Sequence, residues 1–152
     1  MAANLPLPHK SQQGDGYCLP ACVQMVLAYF GFFHSQDAIG RALDLNPLFG
    51  VPHSNIKKLT SLKLKVAYEA GTLEDIHRWL NQNIPVIVFV QADDLPHWLD
   101  QHFQHAIVVV GLEGQTFYIM DPALDTGPTP VDEESFMLAW SSMDYYYATL
   151  IP

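Results

Sequence analysis

The sequence is short of positive charge, of cysteine and of long hydrophobic runs, and each shortage removes a class of function. Seven Lys and Arg stand against 16 Asp and Glu, giving a net charge of −9. That balance repels phosphate backbones and anionic lipid surfaces, so no nucleic acid is expected as a partner. No apolar run reaches the ~18 residues that a membrane helix needs, so membrane insertion is not expected either. The two cysteines, Cys18 and Cys22, lie four positions apart, which is no disulfide framework. Residues 1–10, MAANLPLPHK, lack the basic start and apolar core of a secretory signal. A cytoplasmic protein with reduced thiols is therefore the expectation.

Internal repeats and low-complexity segments are also missing. With 49% hydrophobic and 15% charged residues, the composition is that of a folded chain rather than a disordered one. A length of 152 residues suits a single domain, 1–152, with residues 1–10 expected as a flexible arm.

The first half reads as helical. PACVQMVLAYF is expected as a helix from Pro20 to Phe30, with Cys22, Met25, Val26 and Tyr29 on one stripe and Gly31 as its left-handed terminator. Further helices are expected at Ser35–Leu45, capped by Ser35, and at Ser54–Leu64. A fourth is expected at Thr72–Gln82, where Thr72 and Asp75 have the spacing of a capping box.

The second half changes period. PVIVFV (85–90), HAIVVVG (105–111), TFYIMD (116–121) and YYYATLI (145–151) are short, rich in β-branched and aromatic residues, and bounded by turn formers. One more helix, Asp132–Trp140, precedes the last of these. LEGQ (112–115) is a hairpin turn, which pairs the strand opened by His105 with the strand ended by Asp121. Helices followed by an antiparallel sheet describe an α+β domain.

Four residues of this layout have matching chemistry. A cysteine becomes a nucleophile as the thiolate, which a helix N-terminus and a neighbouring imidazole both favour. Cys18 stands just ahead of the helix, and His105 is a base that the fold can bring to it. An imidazole in that role needs a partner on its second nitrogen, which Asp121 can supply across the hairpin. The oxyanion formed on attack needs donors, for which a backbone N–H at Cys18 and the amide of Gln12 or Gln13 are suited. Singly, each residue has a plainer reading: Cys18 as a small buried hydrophobe, His105 as a structural histidine, Asp121 as a turn initiator before Pro122, Gln12 as a surface residue. Their order in the chain makes the set informative. Cys22, on the apolar stripe, is expected as core.

In that order they resemble the C39 family of papain-like cysteine peptidases, which trim double-glycine leader peptides. The resemblance rests on Gln12 six residues before Cys18, on Cys18-LPAC with the helix ending LAYFG, on HAIVVVG from His105 and on MDP ending at Pro122. Glu133, Glu134, Phe136 and Trp140 resemble the family's closing helix, so the likeness spans about residues 11–151. It implies a papain-like cysteine peptidase fold, N-terminal helices packed on a C-terminal antiparallel sheet. It also implies Cys18 as nucleophile, His105 as base and acid, Asp121 as its orienter and Gln12 as oxyanion donor, with no cofactor.

The implied partner is a peptide or protein substrate, cut in a leader or precursor segment. Leu19 stands where the family usually has Gly, which implies a narrower substrate site beside the nucleophile, and Gln13 is a second candidate for contact there. No ATP-binding cassette or membrane helix follows in the sequence, so a stand-alone form is expected. Two other classes share these residues: a peptide-binding module that does not cut, and a cysteine acyltransferase or transpeptidase.

The segment HWLDQHFQH, with His97, His102 and His105 near Asp93, Asp94 and Asp100, invites a metal reading. It lacks HExxH or cysteine-cluster spacing. A polar loop over the active site is expected instead, with Trp98, Phe103, Trp79 and the Tyr145–Tyr147 run as packing.

Overall fold

The computed structural model describes residues 4–98 and 103–152. His102 and Asp100 of the polar loop lie outside the described residues. Four α-helices are described: α1 (Cys18–Tyr29), α2 (Gln36–Ala42), α3 (Leu73–Asn81) and α4 (Glu133–Ser141). Six strands, β1 (Lys65–Ala70), β2 (Val86–Gln91), β3 (Gln104–Glu113), β4 (Thr116–Met120), β5 (Thr129–Asp132) and β6 (Tyr146–Ile151), form one antiparallel sheet in the order β1-β6-β2-β3-β4-β5. The α+β expectation holds, with α1 and α2 ahead of the sheet in the chain, α3 and α4 between its strands, and α1 packed across β3.

Local chemistry accounts for the helix ends. Gly31, at φ +90°, lets the Gly31 and Phe32 N–H groups bond back to Ala28 and Leu27, closing α1 with a glycine C-cap. Ser35 caps α2, and Thr72 with Asp75 forms the expected capping box on α3.

Alpha1 begins at Cys18, two residues before the expected Pro20. The N–H groups of a helix's first turn have no intrahelical acceptor, so a proline in third position costs no bond. The helix expected at Ser54–Leu64 is a 3-10 stretch, His53–Leu62. Two strands are additional to the sequence reading. Strand β1 is a half-exposed edge with Lys and Glu among its residues, and β5 has only four residues, one of them Pro130. Neither carries a strong apolar alternation.

The described part of the expected arm, residues 4–10, lies against the domain. Leu5 and Leu7 are 7% and 5% exposed, and the Leu5 N–H donates to the Val110 carbonyl at 2.8 Å. The alternation in LPLP is that of an extended segment burying one face. Continuing from it, His9 Nε2 and Ser11 Oγ both donate to the Leu124 carbonyl at 2.8 Å, and Gln12 N–H donates to that of Pro122 at 2.7 Å. This strap runs beside the loop after β4 and delivers Gln12 close to Asp121.

The core fills both faces of the central strands. Residues Val86–Val90 and Ala106–Val110 are at most 1% exposed, as the near-continuous apolar runs of β2 and β3 require. Under α4, Phe117 and Phe136 stack at 3.9 Å beside Trp140.

Candidate active site

Three parts of the fold meet at one cavity of about 500 Å³, lined among others by Gln12, Cys18, Leu19, His53, Trp98 and His105. The strap contributes Gln12, the start of α1 contributes Cys18, and the start of β3 contributes His105. Because Cys18 is the first helical residue and no side chain caps α1, the thiol sits at the positive end of the helix beside backbone N–H groups free of a cap.

His105 and Asp121 are joined across the β3–β4 hairpin. A bulge between Val109 and Gly111 shifts the register, and the two side chains meet with His105 Nε2 donating to Asp121 Oδ1 at 2.6 Å. Both are buried, at 1% and 0% exposure. With Nε2 engaged, Nδ1 is the nitrogen left for Cys18. Burial lowers the His105 pKa, but hydrogen bonds to Asp121 and Cys18 and the charges of both outweigh it and raise the pKa to about 9. Burial likewise opposes ionisation of Asp121, yet its hydrogen bonds from His105, His97 and Trp98 hold the carboxyl well below the usual carboxylate range. The arrangement favours an imidazolium at neutral pH, paired with the fixed Asp121 anion and with Cys18 nearby.

Asp121 is more completely held than the sequence suggested. Oδ1 also accepts the Ala123 N–H at 2.9 Å, while Oδ2 accepts Trp98 Nε1 at 2.7 Å and His97 Nε2 at 2.8 Å. His97 and Trp98 therefore anchor the polar loop on the carboxylate. The sequence signal for this was only their nearness to His105, which the metal and packing readings obscured. Among the described residues no group of three or more His, Cys, Asp or Glu is arranged to hold a metal ion.

The two glutamines separate. Gln12 lines the cavity; its Nε2 donates to the Gly14 carbonyl at 3.0 Å, and its buried Oε1 has no partner among the described residues. Gln13 is engaged elsewhere, its Nε2 donating to Asp37 Oδ1 at 2.6 Å. Gln36, only 7% exposed, fastens this loop: its amide accepts the Gln13 N–H at 2.9 Å and donates to the Ser11 carbonyl at 2.8 Å. Leu19 is 1% exposed and forms part of the cavity wall.

Gly16 and Gly50, at φ +83° and +81°, bring their loops into backbone contact; a Cβ on Gly50 would come within 3.2 Å of Gly16 Cα. Only glycine allows that conformation and approach together, and both glycines line the cavity. Cys22 behaves as core. It is fully buried and donates to the Ala106 carbonyl at 3.3 Å, and burial, with the nearby charges of Cys18 and Asp121, pushes its thiol well up.

The fold is shared with solved peptidase domains. A protein from Bacillus anthracis described as a C39-like peptidase superposes with a TM-score of 0.79 at 18% identity, covering 99% of this chain and 98% of that one. The peptidase domain of Streptococcus ComA, a bi-functional ABC transporter involved in a quorum sensing pathway, gives 0.79 at 19% identity, with 97% and 99% covered. A double glycine motif protease from an AMS/PCAT transporter, solved in complex with its leader peptide, gives 0.76 at 19% identity, with 100% and 96% covered. No curated protein matches the sequence. Among the described residues no helix is long and apolar enough to cross a membrane. The profile of the Peptidase_C39 like family matches residues 4–148, nearly the whole chain, and the protein belongs to that family.

Proposed function

We propose that the protein is a cysteine peptidase acting on a peptide through Cys18, His105, Asp121 and Gln12. One observation carries the reading: a single cavity holds a helix-start cysteine and, beside it, a histidine fixed at 2.6 Å on a buried carboxylate. In the proposed reaction the Cys18 thiolate forms a bond to the scissile carbonyl carbon. The oxyanion is held by the Gln12 amide and backbone N–H at the α1 start. As the C–N bond breaks, His105 passes its Nδ1 proton to the leaving amine, leaving a thioester on Cys18. Water then gives a proton to His105, attacks the thioester carbonyl, and releases the acid and the thiolate. Asp121 keeps Nε2 occupied throughout, so that the proton moves only at Nδ1.

The substrate class in this reading is a precursor peptide. Support comes from the family and from the neighbour bound to a leader peptide, together with the apolar side chains of Phe49, Trp98 and Phe103 at the cavity. Leu19 in the wall favours small residues at the cleavage point over bulky ones. Incubation of the protein with double-glycine leader peptides, with and without added amines, tests this. The expected products are two free peptides, absent with Cys18→Ala. An amine conjugate in preference to the free acid would make the protein an acyltransferase, and tight binding without products would make it a binding module.

A further inference from the structure

His53 is a polar residue that the proposed reaction leaves without a task. It lies at the start of the 3-10 stretch, just after the loop that touches Gly16, and lines the same cavity as Cys18 and His105. Its ring stacks on Phe89 of β2 with centroids 4.3 Å apart and planes 26° apart. Stacking occupies one face and leaves the nitrogen-bearing edge clear of Phe89. Neither ring nitrogen has a hydrogen-bond partner among the described residues, whereas the histidines His9, His97 and His105 each bond through a ring nitrogen.

The ring is half-buried, and its nitrogens reach the cavity rather than being sealed in the core. With no hydrogen bond among the described residues to occupy them, they stay available to a ligand. Burial, with the nearby charge of His105, lowers its pKa to about 4. At neutral pH it is an uncharged ring offering one donor and one acceptor, the complement of a peptide group rather than of a charged side chain.

We propose that His53 is a substrate-binding residue, a stacked neutral imidazole that hydrogen-bonds the main chain of a peptide lying in the cavity beside Cys18. The inference rests on the peptidase reading above and adds to it the residue that holds the substrate backbone. Preorganisation by Phe89 means that little side-chain freedom is lost on binding. The contact is made to atoms that every peptide has, so it contributes affinity for an extended chain and leaves side-chain selection to the surrounding walls.

Two alkylating reagents separate the roles. The first is acetyl-Leu-Gly-Gly chloromethyl ketone, which must occupy the cavity before its carbon bonds to the Cys18 sulfur and chloride leaves. The second is iodoacetamide, which needs only the thiolate. His53→Phe keeps an aromatic ring on Phe89 and removes both nitrogens. It should slow the peptidyl reagent about tenfold through weaker binding, the loss of about one hydrogen bond, and leave the iodoacetamide rate within about twofold. His53→Gln should recover part of the loss. An unchanged peptidyl rate in His53→Phe overturns the proposal, as does equal slowing with both reagents, which would mark a structural role. If the unmodified protein shows no preference for the peptidyl reagent over iodoacetamide, the peptidase reading itself fails and takes this inference with it.

Discussion

Replacing Asp121 with Asn tests the electrostatics of the site at its anchor. The carboxylate accepts four bonds, from His105 and Ala123 on Oδ1 and from Trp98 and His97 on Oδ2. All four are donors, so an amide in either orientation sets its NH2 against two of them. Two donors lose their acceptor and the other two lose the charge on theirs. At about 1–3 kcal/mol for each orphaned donor, a destabilisation of about 2–4 kcal/mol is expected, the released cost of burying the carboxylate offsetting part of it.

The chemical effect is sharper. Without Asp121 the burial of His105 is opposed only by Cys18, so its pKa should fall from about 9 to below the ordinary histidine value of about 6.5. The imidazolium then loses about 3 kcal/mol of support, and at pH 7 most His105 becomes neutral. A titration of the imidazole nitrogens by NMR reads this directly, and the iodoacetamide rate of Cys18 at pH 7 should drop by more than about tenfold. Persistence of a protonated His105 at pH 8 in Asp121→Asn, or an unchanged alkylation rate, would show that Asp121 does not hold the charge on His105.

Stability should pass through a maximum near pH 6.5. The His53 pKa is lowered to about 4, so its contribution is present above the unfolded value of about 6.5 and is lost as pH falls from there towards about 4. That of His105 is raised to about 9; its contribution is complete below about 6.5 and is lost as pH rises towards about 9. Each displacement corresponds to about 3 kcal/mol at most. Urea unfolding from pH 4 to 9 should show both limbs, with His53→Phe flattening the acid limb alone; a pH-independent midpoint would contradict both assignments. Gln12→Ala should lower kcat by about 100-fold, the effect of losing one oxyanion donor. Gln13→Ala, whose amide is held by Asp37, should stay within about twofold, and the reverse order would exchange their roles.

The geometry of the site was legible where local rules act alone. The hairpin turn and the two strand ends it joins foretold the meeting of His105 and Asp121, and the glycine after α1 foretold its end. What was hidden depends on distant contacts. The strap of residues 4–12 reads as loose polar and proline-rich chain until β3 and the Leu124 loop supply its acceptors. Strand β1 is a strand because β6 pairs with it along its whole length, an edge the half-polar KVAYEA does not announce. His97, Trp98 and His53 reach the site from 3-10 segments, where neither the helical nor the strand period reports which way a side chain turns. Gln12 and Gln13, adjacent and identical in type, were separated only by Gln36 and Asp37 on α2.

In the proposed reaction Cys18 attacks a peptide carbonyl with His105 as its proton carrier. Intact-mass spectrometry of the protein, acid-quenched within seconds of mixing with the methyl ester of a peptide ending in Gly-Gly, tests it most directly. An acyl adduct on Cys18 should form and decay with turnover, be missing in Cys18→Ala and be strongly slowed in His105→Ala. Undiminished hydrolysis by Cys18→Ala, or an adduct on any other residue, would contradict the proposed reaction.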